Sequence, residues 1–284
     1  MADKAPNPNG EQKLKIYFLP NLLTAGNLFC GFVALTFIVE ADLTPDVNGL
    51  VHWMPIKKAL AAILLACIFD LFDGRVARMG GHESPFGREF DSLADLVSFG
   101  VAPAFLVHRV VLHKALPDDY TELGWFIASI YLICGAFRLA RFNCLSAMNL
   151  PGAGKDFLGF PIPSAAGLVA SLTLLIIHSN EKDKDLGHLG YLLPVVLIFL
   201  SAMMVSQVKY PSFKGLGLRS TTTFSKFIIA AMFVGMIVIF REKILYYVLP
   251  LFFTGYLIYG FVRPHISRTW RREIEEDDDA EAGD

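Results

Sequence analysis

Asp70, Asp73, Asp91 and Asp95 are the residues of this chain best suited to chemistry, because their types and spacing bring acid groups together. They lie in the stretch DLFDGRVARMGGHESPFGREFDSLAD, residues 70–95, with apolar sequence on both sides. A helix turns by about 100° per residue, so Asp70 and Asp73 sit about 60° apart on one face. Asp91 and Asp95 sit about 40° apart on one face of the next helix. Gly80, Gly81, Pro85 and Gly87 read as a turn between the two. Two neighbouring helices thus aim two carboxylates each at a common point. Four like charges there repel strongly at low dielectric, and a divalent cation relieves them. Oxygen donors without His or Cys select Mg²⁺ or Mn²⁺ over zinc, and Ca²⁺ also fits as an occupant. Two cations sharing carboxylates suit phosphoryl transfer. The competing reading pairs the aspartates with Arg75, Arg78 and Arg88 in a salt-bridge network. Carboxylates within a membrane span are functional by default, which favours the metal.

Small residues fill out the site. Gly74 follows Asp73 and admits close backbone approach. Ala77 leaves room on the same face, and Arg78 offers a planar fork of donors to a phosphate. Carboxylates, a gap and an arginine together describe a pyrophosphate site. It is not a P-loop, since G-x-x-x-x-G-K-[ST] does not occur in the chain.

The elements that must position these residues are membrane helices. Of 284 residues 54% are hydrophobic and 18% charged, with a mean hydropathy of +0.48. That is more apolar and less charged than soluble domains. The apolar residues fall in blocks long enough to cross a hydrocarbon core. The expected fold is an all-α polytopic membrane protein with eight spans, near 19–39, 59–79, 92–112, 124–142, 161–178, 189–208, 225–240 and 244–262. Residues 1–18 are expected as a cytoplasmic leader with an interfacial helix, 19–265 as one membrane domain, and 266–284 as an acidic disordered tail. No secretory signal peptide is expected. The four cysteines lack the spacing of a zinc site or a disulfide framework. With eight spans, seventeen of the 25 Lys and Arg fall on the side of both termini. The positive-inside rule makes that side, and the aspartates with it, cytoplasmic.

The pattern Asp70-x-x-Asp73-Gly74-x-x-Ala77-Arg78, eight residues, Gly87-x-x-x-Asp91-x-x-x-Asp95 resembles the signature of the CDP-alcohol phosphatidyltransferases at every fixed position and gap. The resemblance implies a CDP-linked lipid, two divalent metals and displacement of CMP by an alcohol. It also implies that Asp70, Asp73 and Asp91 bind metal, with Asp95 as the base and a further ligand. Gly74, Arg78 and Ser84 would then contact the nucleotide and its phosphates, and Asn21 and Thr24 would face the nucleotide. Relatives suggest a homodimer in the bacterial cytoplasmic (inner) membrane.

The acceptor is read from other stretches. PNLLTAGNLFCGF (20–32), DSLADLVSFGVAPAF (91–105), RLARFN (138–143), GFPIPSAA (159–166) and VKYPSFK (208–214) resemble the serine-accepting bacterial branch of that family. This implies CDP-diacylglycerol and L-serine as substrates, membrane lipids as surroundings, and no nucleic acid. Serine carries a carboxylate that wants a cation. Arg138 and Arg141, and Lys209 at the same depth, are the candidates, with positive-inside anchoring as the bland alternative for each. Tyr210 and Phe213 are expected as interfacial aromatics, and His108, His113 and His178 as headgroup contacts. Glycerol phosphate, inositol phosphate or choline remain alternative acceptors. A membrane prenyltransferase lacks the Asp-Gly-x-x-Ala-Arg core, and a divalent-cation transporter would string its carboxylates along a path near the midplane.

Overall fold

The computed structural model describes residues 17–44, 47, 51–79, 84–112, 121–148, 156–181, 192–211 and 245–263. The leader, the acidic tail and the expected 225–240 span lie outside them, as do Gly80, Gly81, His113 and Phe213. The described chain is mostly helical: α1 (Phe18–Glu40), α2 (Met54–Met79), α3 (Pro85–Asp95), α4 (Ala102–Val107), α5 (Thr121–Ala147), α6 (Ile162–Asn180), α7 (Leu192–Val205) and α8 (Leu245–Val262). Wide π turns, Leu96–Val101 and His108–Leu112, follow α3 and α4, so Pro85–Val110 forms one rod. Phe18–Glu40, Pro85–Val110, Glu122–Ala147 and Ile162–Ser179 are long and apolar enough to cross a membrane. α2 matches them in length but carries Lys57, Lys58, Asp70, Asp73, Arg75 and Arg78. Leu192–Val205 and Tyr246–Val262 are shorter apolar helices. These features are those of a polytopic membrane protein.

Local chemistry sets the ends. Pro20 in the first turn of α1 forfeits an N–H that would have no helical partner. Beyond its end, Asp42 accepts from the Thr44 backbone N–H at 3.0 Å and the Thr44 hydroxyl at 2.7 Å, turning the chain away. The third helix begins earlier than the expected residue 92. Ser84 is its N-cap and accepts from the Gly87 N–H at 3.0 Å, while Pro85 occupies the first turn. Pro85 and Gly87 therefore belong to the helix rather than to the turn that the sequence suggested.

The most extensive pairing is α1 against α2. Small residues permit it, since helices in lipid associate by close packing. Ala34, Ala59 and Ala66 are buried between larger side chains, and a Cβ on Gly26 would stand 3.1 Å from the Phe69 ring. Gly31 is more tightly constrained. A Cβ there would stand 2.3 Å from Ser98 Oγ and 2.8 Å from Ser98 Cα. α1 thus meets the first π turn backbone to backbone, and Ser98 Oγ donates to the Asn27 carbonyl at 2.9 Å across the same contact.

Sequence reading found no strands, yet β1 (Asp156–Leu158) and β2 (Lys209–Pro211) pair antiparallel, with Phe157 opposite Tyr210. Three-residue strands separated by two helices leave no periodic signal. Gly159 makes the pairing feasible with φ +80°, and its N–H donates to the Val208 carbonyl at 2.9 Å. Two aromatic expectations need correction. Tyr210 is fully buried rather than interfacial: its ring meets Phe160 edge-on at 5.2 Å and its hydroxyl donates to the Leu257 carbonyl at 3.3 Å. His178 is buried and stacked on Tyr246 at 3.9 Å, so tertiary packing, not the headgroup region, takes it.

Gly31→Ala should push α1 off the π turn, because the clash includes backbone that cannot rotate away. The expected destabilisation is about 1–3 kcal/mol, read as a lower unfolding temperature in detergent. An unchanged midpoint would show that the contact is not tight.

Candidate active site

α2 and the Pro85–Val110 rod deliver the aspartates, and α1 lies against both. One carboxylate oxygen each from Asp70, Asp91 and Asp95 lies within 4.8 Å of the others. Asp95 is 6% exposed, and Asp70 and Asp91 are half-buried. Asp73 is only 4% exposed and points to α1, where Thr24 Oγ1 donates to its Oδ2 at 2.9 Å. Its charge still acts on Asp70 and Asp95. Behind Asp95 stands Asn27, which is fully buried and whose Nδ2 donates to Asp95 Oδ1 at 3.0 Å. The sequence reading passed over Asn27. Its signal was there, because Asn21, Thr24 and Asn27 recur every three residues along one stripe of α1.

The donor set fits a hard divalent cation. Oxygens sharing one ion at 2.0–2.6 Å stand within about 5 Å of one another, and this cluster meets that condition with carboxylates alone. Neither Arg75 nor Arg88 forms an ion pair with any of the four aspartates among the described residues. The salt-bridge alternative therefore loses two of its three arginines. Arg78 is part of α2, with its side chain outside the description, and Gly74 is partly exposed beside Asp73.

Two of the residues expected to meet the nucleotide, Ser84 and Asn21, come together at the start of α3. Ser84 Oγ accepts the helix-cap hydrogen bond, which leaves its own hydroxyl proton to donate. Asn21 reaches the same turn, since a Cβ on Gly87 would stand 3.4 Å from its Oδ1. Asn21 Nδ2 is buried with no acceptor among the described residues.

The two arginines of α5 part company. Arg138, 7% exposed, lies within electrostatic range of Asp70, Asp95 and Tyr256. Arg141 instead serves the backbone, donating to the carbonyls of Val205 (2.9 Å), Leu158 (2.7 Å), Met204 (3.3 Å) and Ser206 (3.2 Å). Those are the orphan carbonyls at the C-terminus of α7, plus one from β1, and a cation at that end also suits the helix dipole. Lys209 stands exposed in β2 opposite Leu158. No ion pair links it to the carboxylates among the described residues.

Apolar helices around a carboxylate cluster that could hold a hard cation, with a buried arginine beside it, suit a membrane-embedded transferase of phosphate-bearing groups. The chain belongs to the CDP-alcohol phosphatidyltransferase family, whose model matches residues 17–206. It is similar to a CDP-diacylglycerol–serine O-phosphatidyltransferase of Helicobacter pylori (strain J99), with 32% identity over 87% of this chain and 91% of the relative. The enzyme of that name from Bacillus subtilis is 34% identical over 69% of this chain and 92% of its own. An archaetidylserine synthase of Methanothermobacter thermautotrophicus is 31% identical over 70% and 72%.

Asp70→Asn and Asp91→Asn should each weaken divalent-cation binding by about tenfold or more, since affinity follows ligand charge. Mn²⁺ titration of the purified protein would read this, with circular dichroism as the fold control. Wild-type affinity in both variants would remove these residues from the cation site.

Proposed function

We propose that this chain transfers the phosphatidyl group of CDP-diacylglycerol to the hydroxyl of L-serine and releases CMP, as a phosphatidylserine synthase. The observation that carries this is the convergence of Asp70, Asp91 and Asp95 on one point with Arg138 buried beside them. The names of the relatives support the acceptor, because their lipid differs and their serine does not.

The residues divide the work. Asp95 takes the hydroxyl proton as the serine oxygen attacks the lipid-linked phosphorus and the bond to the CMP oxygen breaks. A positioned base contributes about 10²–10⁴-fold. Two divalent cations, Mg²⁺ or Mn²⁺, held by Asp70, Asp73, Asp91 and Asp95, would supply charge stabilisation for the pyrophosphate and the departing CMP. Asn21 Nδ2 and the N-terminal turn of α3 offer donors to phosphate or nucleotide oxygens, with Gly74 and Arg78 completing that side. Thr24 serves through Asp73. Arg138 receives the serine carboxylate, Arg141 holds the backbone around it, and Lys209 lies at the outer edge of the acceptor side.

Eight spans, a homodimer, and termini and site on the cytoplasmic face of a bacterial inner membrane complete the proposal. The Lys and Arg distribution supports that orientation.

Asp95→Asn should abolish turnover while CDP-diacylglycerol still binds; normal turnover would remove the base. Arg138→Ala should raise the KM for serine by about tenfold or more, with the KM for the lipid little changed. Equal effects on both would assign Arg138 to structure. CMP release with serine, glycerol phosphate, inositol phosphate, inositol or choline offered separately tests the acceptor, and serine alone should support it. Release with another alcohol alone would replace serine with that acceptor.

A further inference from the structure

We infer that Asn27 is a positioning residue for Asp95: its side-chain amide holds one carboxylate oxygen and so fixes how the other is presented at the Asp70–Asp91 cluster, where the acceptor hydroxyl arrives. The inference rests on the reading of Asp95 as the base. Asn27 is fully buried in α1, and its Nδ2 donates to Asp95 Oδ1 at 3.0 Å. The opposite orientation of the amide would set its oxygen against a carboxylate oxygen, acceptor facing acceptor. The observed orientation leaves Asn27 Oδ1 buried with no hydrogen-bond partner among the described residues. A buried amide oxygen without a donor costs stability, so packing alone is a poor reason for an asparagine here. What the amide contributes is its donor to Asp95.

The backbone that carries Asn27 is itself held. Ser98 Oγ, three residues beyond Asp95, donates to the Asn27 carbonyl at 2.9 Å. Gly31, one helical turn along α1, brings its backbone against Ser98. Asp95 is the last residue before the π turn, so its backbone lies in the segment that this contact pins. Residue 27 of α1 and residue 95 of the rod therefore cannot drift apart without breaking a backbone-level contact. A carboxylate left free to rotate about its last bond would present either oxygen to the acceptor. The Asn27 donor removes that freedom and fixes which oxygen is presented to the Asp70–Asp91 cluster, where the acceptor hydroxyl arrives. α1 supports both carboxylate pairs in this way, Thr24 behind Asp73 and Asn27 behind Asp95.

The test uses the full chain, with turnover followed by CMP release using whichever acceptor the wild type accepts. Asn27→Leu keeps the branched shape and the number of side-chain heavy atoms and removes the donor. Asn27→Asp keeps the shape and turns the donor into an acceptor. Both should lower kcat by about tenfold or more, with KM for each substrate within about threefold of wild type. CDP-diacylglycerol affinity without acceptor should be unchanged. Native-like circular dichroism together with the unchanged CDP-diacylglycerol affinity in Asn27→Leu separates the effect from a structural one. Should Asn27→Asp fail to fold, Asn27→Leu alone decides. A kcat within twofold of wild type in folded Asn27→Leu, or a loss confined to KM, overturns the inference. Turnover by Asp95→Asn would overturn the base and this inference with it. An inactive Asp95→Asn beside fully active Asn27 variants would overturn this inference alone.

Discussion

Mutual repulsion among Asp70, Asp73, Asp91 and Asp95 is the constraint around which the described helices are arranged. In an apolar bundle such a group stands only if positive charge and donors surround it. α1 supplies two donors, Thr24 to Asp73 and Asn27 to Asp95, from one stripe of one helix. α5 supplies charge through Arg138. The remaining imbalance suits a hard cation, because three carboxylate oxygens already share a space of the right size. Small residues along α1 let it lie close enough to both acid-bearing helices to reach them.

The site and its support differ in how far they could be read from the chain. Spacing of three and four residues placed the aspartates on shared helix faces, and the structure brings three of them together. Asp73 turns instead to Thr24, a distinction that spacing cannot make, because both aspartates of α2 lie on the same face. Ser84 illustrates a different gap. A serine before Pro85 has the chemistry of a helix cap as well as of a phosphate contact; the cap, which the sequence reading did not name, takes only the acceptor side of its hydroxyl. The π turn after Asp95 and the short strand pair were invisible, since neither leaves a period in the sequence.

Arg138 and Arg141 are three residues apart on one helix and look equivalent as sequence. Packing separates them. One is buried within range of the carboxylates, while the other satisfies the last carbonyls of α7. Tyr210 and His178 were misplaced for a related reason. An aromatic near the end of an apolar block can meet the interface or a neighbouring helix, and only the fold chooses. Phe160, Tyr210 and Tyr256 pack together, and Tyr256 lies within electrostatic range of Arg138, so the last described helix also bears on that arginine.

The central claim is that divalent cation offsets the charge of these aspartates at the point where the phosphatidyl group is transferred. Anomalous diffraction from crystals of the protein grown with Mn²⁺ and CDP-diacylglycerol measures this directly. The account predicts anomalous density bounded by Asp70, Asp91 and Asp95 and touching the pyrophosphate. Pyrophosphate bound there without anomalous density, or manganese bound only elsewhere, would contradict it.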